Sequence, residues 1–169
     1  MVLSRDEMIG ALKSEVRILL HLASKIEPKD LDYRPSPKQR SLLELMQYLV
    51  IMGPLHARGV KKGVFDREEW GKNLTDGEIF AKTLNLDQVK EEIGKQPALF
   101  EDVIGSCSDE DLRTEIAMFG PRASRGSMFV ALVLCHYAAY RMQLFLYLKG
   151  CGYEELNTLN LWAGVDGAM

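Results

Sequence analysis

Apolar residues recur at helical spacing along most of this 169-residue chain, in four long stretches that leave few alternatives to a helical bundle. Met8, Leu12, Glu15, Leu19 and Leu22 mark the first stretch, which Ser4 and Glu7 open as a capping box and Pro28 closes. Ser36-Pro37-Lys38-Gln39 predicts the second start, with an N-cap serine, a first-position proline and glutamine at N3 ahead of Leu42, Leu45, Leu49 and Met52. A proline lacks the amide proton and clashes with the carbonyl four residues back, so Gly53-Pro54 predicts a kink or an end. From Gly59 to Lys82 the chain is polar and mixed, anchored by Phe65 and Trp70, and Thr75 to Glu78 is a candidate cap for a short helix. Asn85 to Gln88 opens the third helix, whose apolar line of Val89, Ile93, Phe100, Val103 and Ile104 passes Gly94 and Pro97, where a bend is expected. Ser108 to Asp111 starts one more turn and Gly120-Pro121 makes a loop. The fourth helix then runs from about Gly126 to Lys149, with Gly150 and Gly152 beyond it. With no strand alternation and no internal repeat, the expectation is all-α: a four-helix bundle, one domain over residues 1–169, with a long crossover between helices two and three.

At 47% apolar residues a chain of this length can bury a core. A net charge of -3 leaves no basic surplus to neutralise phosphates, which argues against nucleic acid as a partner. Ser4-Arg5-Asp6-Glu7 leads straight into an amphipathic pattern without the features of a secretory leader. The longest apolar runs, Met128 to Cys135 and Leu144 to Leu148, fall far short of a span. A cytoplasmic protein without a membrane partner is therefore expected. Cys107, Cys135 and Cys151 lack CxxC spacing and read as free thiols, Cys135 as a small core residue. Met46, Met52, Met118, Met128 and Met142 read as core fillers.

The chemistry concentrates in the fourth helix. Histidines four residues apart share a helix face and can grip one metal ion, but here His136 is followed at that distance by Tyr140, with Arg141 and Gln143 beyond.

Several segments, in order, resemble the DinB-like (DinB/YfiT) superfamily over nearly the whole chain. They are Ile26 to Leu31 with Arg34-Pro35 and Ser41-Leu42-Leu43-Glu44-Leu45, then Ser108 to Leu112, His136 to Gln143, and Asn160-Leu161-Trp162-Ala163-Gly164. The resemblance implies a bundle, often homodimeric, that holds a divalent metal on three histidines, one on helix two and an HxxxH pair on helix four. Some metal-containing relatives use bacillithiol or mycothiol in transferase or isomerase chemistry. Carried over residue by residue, the helix-two ligand falls on Tyr48 and the pair on His136 and Tyr140, so one ligand of three survives.

Neutral imidazole is a good ligand for zinc or nickel, whereas a phenol with a pKa of about 10 must first ionise, iron suiting phenolate best. The expectation is therefore a degenerate, metal-free site. In it Tyr48, His136 and Tyr140 satisfy one another's hydrogen bonds, and Glu44 and Gln143 complete a ligand pocket. Any divalent ion, whether Zn, Ni or Fe, would rest on His136. The same Tyr48, His136 and Tyr140 are the candidates for proton transfer. A small-ligand-binding or interaction protein that forms homodimers is expected. The alternative is a thiol-dependent S-transferase using a divalent metal or the Tyr/His cluster. His21 and His56 read as surface or structural histidines. Tyr137 faces away from the triad and suits a dimer seam, and Arg141 pairs with a carboxylate or holds an anionic group.

Overall fold

The computed structural model describes residues 3–167. Helix α1 (Arg5–Ala23) opens as predicted, with the Ser4 hydroxyl accepting from the Glu7 N–H and the Glu7 carboxylate accepting from the Ser4 N–H at 2.7 Å. Helix α2 (Leu42–Lys62) starts later than Ser36-Pro37 predicts. Ser41 is its N-cap and pairs with Glu44 in a second capping box, because the buried stripe begins only at Leu42 and a turn of Lys38, Gln39 and Arg40 has nothing to bury.

Gly53-Pro54 neither ends nor caps α2, which continues to Lys62 and stops at Gly63 with φ +75°. Pro54 has no N–H for the Val50 carbonyl, and the buried Gln96 supplies the missing donor. Its Nε2 donates to the Leu49 carbonyl at 3.0 Å and to the Val50 carbonyl at 3.2 Å. The Gln96 Oε1 in turn accepts from the Tyr137 hydroxyl. Gly53 is the companion requirement, since a Cβ there would overlap that hydroxyl. Tyr137 is thus fully buried in the core, not at a surface seam.

The crossover contains a helix that its composition hides. α3 (Arg67–Lys82), capped by the Asp66 carboxylate, buries only Ala81 completely, and Gly77 lets it lie close against Ile51 of α2. Its charges and glycines dilute the apolar stripe that would have announced it. α4 (Leu86–Gly105) opens on the predicted Asn85–Gln88 box, and α5 (Asp109–Arg113) is the predicted extra turn. Two strands follow that sequence alternation did not reveal, β1 (Glu115–Ala117) and β2 (Arg122–Ser124), antiparallel and too short for a period to show. Phe119 (φ +54°) and Gly120 (φ +107°) turn the hairpin.

α6 (Arg125–Phe129), a π-helical stretch over Val130–Leu134 and α7 (Cys135–Gly150) then form one 26-residue helix, and α8 (Thr158–Trp162) closes the chain. By length and composition this helix is long and apolar enough to cross a membrane, which the separate apolar runs did not suggest. Here its Phe129, Val133, Tyr137, Leu144 and Leu148 fill the core of the bundle.

Contacts between elements fix their directions. Arg125 donates to the Val60 carbonyl and the Tyr147 hydroxyl to the Arg40 carbonyl, so α7 runs antiparallel to α2. Gln47 donates to the Leu84 carbonyl and Lys61 to the Ser106 hydroxyl, so α4 runs parallel to α2, with α3 as the return leg between them. Arg5 reaches the Gly105 and Cys107 carbonyls and Lys13 pairs with Glu101, so α1 opposes α4. The result is an all-α four-helix bundle of α1, α2, α4 and the long last helix.

Candidate functional site

Antiparallel packing of α2 and α7 brings Tyr48 against Tyr140 with ring centroids 5.2 Å apart and against His136 at 5.8 Å; His136 and Tyr140 lie 4.5 Å apart on their shared face. The three residues singled out in the sequence therefore meet. The histidine is not satisfied by the phenols, however: the buried His136 Nε2 has no hydrogen-bond partner.

A fourth residue joins them, and sequence reasoning set it aside. His56 sits 5.4 Å from His136, nearly perpendicular to it, and its buried Nδ1 is also without a partner. It stands two helical repeats of four beyond Tyr48, on the same face of α2, once α2 is seen to run unbroken through Pro54. That spacing was the available signal, and the expected break at Gly53-Pro54 hid it. Aromatic walls complete the box. Trp70 of α3 stacks on His56 at 5.3 Å, Phe119 of the hairpin meets His56 at 6.2 Å and Trp70 at 5.0 Å, and Phe65 packs on both aromatics. Nothing in the local sequence ties Phe119 to this site, because the hairpin delivers it.

Two predicted pocket residues are elsewhere. Glu44 closes the cap of α2 and pairs with Arg34 at 2.7 Å, half exposed. Gln143 donates to the Tyr147 hydroxyl at 2.9 Å. The cation at the site is instead Arg40, whose guanidinium lies 3.9 Å over the Tyr48 ring. Arg141 is held away by Glu15, 3.3 Å from its Nε, with Trp162 over the guanidinium at 5.0 Å. Burial raises the Glu15 carboxyl above its usual range and Arg141 pulls it back. His21 contacts Asn160 of the tail at 3.2 Å and Asp166 at 3.6 Å, a structural role as expected.

The electrostatics follow from burial. His56 falls to about 4, lowered by desolvation against an opposing pull from the Leu132 carbonyl. His136 also falls to about 4, through desolvation and then the neighbouring His56. The Tyr48 phenol moves well above its ordinary value through burial and then the adjacent Tyr140 hydroxyl; Arg40 opposes that rise and Glu78 adds to it. Near neutral pH the site thus offers two uncharged imidazoles and a firmly protonated Tyr48. This donor set does not fit the three-imidazole shell that the resemblance implies. The Tyr48 position would have to ionise against its surroundings, and among the described residues no three His, Cys, Asp or Glu side chains converge.

A separate cleft of about 690 Å³ opens between α2, α3 and α4, lined by Val50, Pro54, Arg58, Phe80 and Leu99 among others. Of the box only Trp70 and Phe65 also line this cleft.

Comparison with solved structures matches this arrangement of helices. The DinB-like protein YjoA of Bacillus subtilis superposes with a TM-score of 0.61 over 89% of this chain and 95% of its own, at 22% identity. A protein assigned to the DinB family from Exiguobacterium sibiricum superposes with a TM-score of 0.68 over 93% and 99%, at 20% identity. The chain has the DinB-like fold. No family model matches the sequence, and no curated protein matches it. Within that fold, the α2–α7 box of two imidazoles and two phenols is the candidate site.

Proposed function

We propose that this DinB-like protein is a metal-free bundle that binds a small, uncharged, hydrogen-bonding molecule between Tyr48, His56, His136 and Tyr140. The observation that supports it is the pair of buried imidazole nitrogens, His56 Nδ1 and His136 Nε2, left without partners inside one aromatic box. Leaving a buried polar group unpaired costs about 1–3 kcal/mol, so a ligand hydroxyl or amide that reaches these nitrogens recovers what the fold gives up. With the imidazoles neutral and Tyr48 protonated, hydrogen bonds and stacking on Trp70 do the recognising, and no fixed charge inside the box competes.

A thiol-dependent transferase of the bacillithiol or mycothiol type is the second reading, and Arg40 favours it. Among the described residues this exposed guanidinium has no carboxylate partner, and at the rim it would suit the carboxylate of a bacillithiol-type thiol.

Elemental analysis separates a metal-free site from a metal centre. Tag-free protein incubated with excess Zn²⁺, Ni²⁺ or Fe²⁺ and desalted is expected to retain far less than one ion per chain. One ion per chain, lost in His136→Ala, would overturn the proposal and make Tyr48 and Tyr140 candidate ligands.

A further inference from the structure

Two groups of exposed apolar side chains differ in setting. Cys135 and Met142, expected in the core from sequence, stand with Leu146 on the outer face of α7, because Tyr137, Leu144 and Leu148 set the face that this helix turns inward. Val64 (66% exposed) and Phe80 (49% exposed) instead line the cleft of about 690 Å³ between α2, α3 and α4, with Val50, Ile51, Pro54 and Leu99 as its apolar wall. Small-molecule sites are concave, apolar-walled and about 300–1,000 Å³ in volume. The cleft also accounts for the thin packing of α3, which buries only Ala81 completely while its Trp70 and Phe80 line open space. An occupant there would supply the packing that the chain itself leaves out.

Charge in the cleft selects the occupant. Four carboxylates line it and each is already engaged: Asp66 caps α3, Glu69 pairs with Lys62, Asp76 with Lys72 and Glu92 with Lys95. Those pairs commit two of the three cations that line it, Lys62 and Lys95. The third is Arg58, one helical turn past Pro54 on α2, and among the described residues its guanidinium has no carboxylate, hydrogen-bond or aromatic partner. A guanidinium beside an apolar wall suits a carboxylate, which it can hold through two parallel N–H bonds.

We propose that the α2–α3–α4 cleft is a second binding site, for an amphipathic monocarboxylate whose alkyl or aryl body lies between Phe80, Leu99 and Pro54 while its carboxylate pairs with Arg58. The site does not depend on the box, since Tyr48, His136 and Tyr140 do not line it. Trp70 joins the two: it lines the cleft and stacks on His56 at 5.3 Å, so an occupant that holds α3 in place also holds the roof of the box.

Isothermal titration calorimetry of the full chain with decanoate tests the site. One decanoate per chain is expected to bind with a dissociation constant below about 1 mM, and decylammonium, the same body with a cation, at least about tenfold more weakly. Arg58→Gln, at an exposed position, is expected to weaken decanoate about tenfold with helical circular dichroism unchanged, and Arg58→Glu to reverse the preference toward decylammonium. Phe80→Asp, which sets a carboxylate against the apolar body, is expected to lose decanoate as well. Saturating decanoate is expected to slow hydrogen exchange of the α3 amides. A wild type that binds no decanoate, or that prefers decylammonium, overturns the proposal, as does decanoate binding that Arg58→Gln and Phe80→Asp leave unchanged. Binding lost in His136→Gln but kept in Arg58→Gln overturns it too, by assigning the ligand to the box.

Discussion

At Gly53 the fold depends on the absence of a single methyl group. Tyr137 comes from α7 into the space where a Cβ would stand, and its hydroxyl holds the Gln96 amide that serves the Leu49 and Val50 carbonyls. Gly53→Ala is therefore expected to destabilise the protein by about 1–3 kcal/mol, as overpacked cores do. Urea denaturation of Gly53→Ala, Tyr137→Phe and the double variant checks it. Part of the alanine's cost should vanish once the hydroxyl is gone, and strict additivity would show that the two residues do not compete for one space. The residue types were plain in the sequence, but their meaning was not. A Gly-Pro pair reads as a helix break until a glutamine forty-two positions after the proline is found to replace the lost donor.

Among the elements, α3 differs most from its neighbours. It is a 16-residue helix with one fully buried residue, whereas α1 and α4 bury whole stripes. Its attachment to α2 rests on Gly77 against Ile51 and on Trp70 over His56. Helices with little buried apolar surface open at lower free energy than the global transition. Hydrogen exchange is expected to show α3 amides exchanging by a local opening, faster than those of α1 and α4, and equal protection would refute this. Because Trp70 roofs His56, that opening would also uncover the box. The same weak stripe explains why the segment from Gly59 to Lys82 reads as irregular, while Ser4–Glu7, Asn85–Gln88 and Ser108–Asp111 are legible as caps: a cap is a local hydrogen-bond pattern, and α3 is stabilised by contacts its own sequence does not contain.

For the whole molecule, burial of the two imidazoles ties stability to pH. Both titrate at about 4 in the folded protein, against about 6.5 in an unfolded chain, so between these values the unfolded state binds protons that the native state refuses. Their contribution is complete above pH 6.5 and is lost as pH falls through about 4, with a slope of up to about 1.4 kcal/mol per pH unit for each such proton. Urea midpoints measured from pH 7 to pH 4 should fall, and less steeply in His136→Gln; parallel curves would show that the ring is not excluded from protonation. Helix content, the four helices of the bundle, most caps and the HxxxY geometry on one face were all present in the chain's spacing and residue types, because a helix places residues three and four apart together whatever surrounds it. The meeting of Tyr48 with Tyr140, the recruitment of His56, Trp70 and Phe119, the exclusion of Glu44, and the exposure of Cys135 and Met142 were decided only by how α2, α3, the hairpin and α7 pack. Burial and pairing between distant segments depend on direction and register, which periodicity along one segment does not carry.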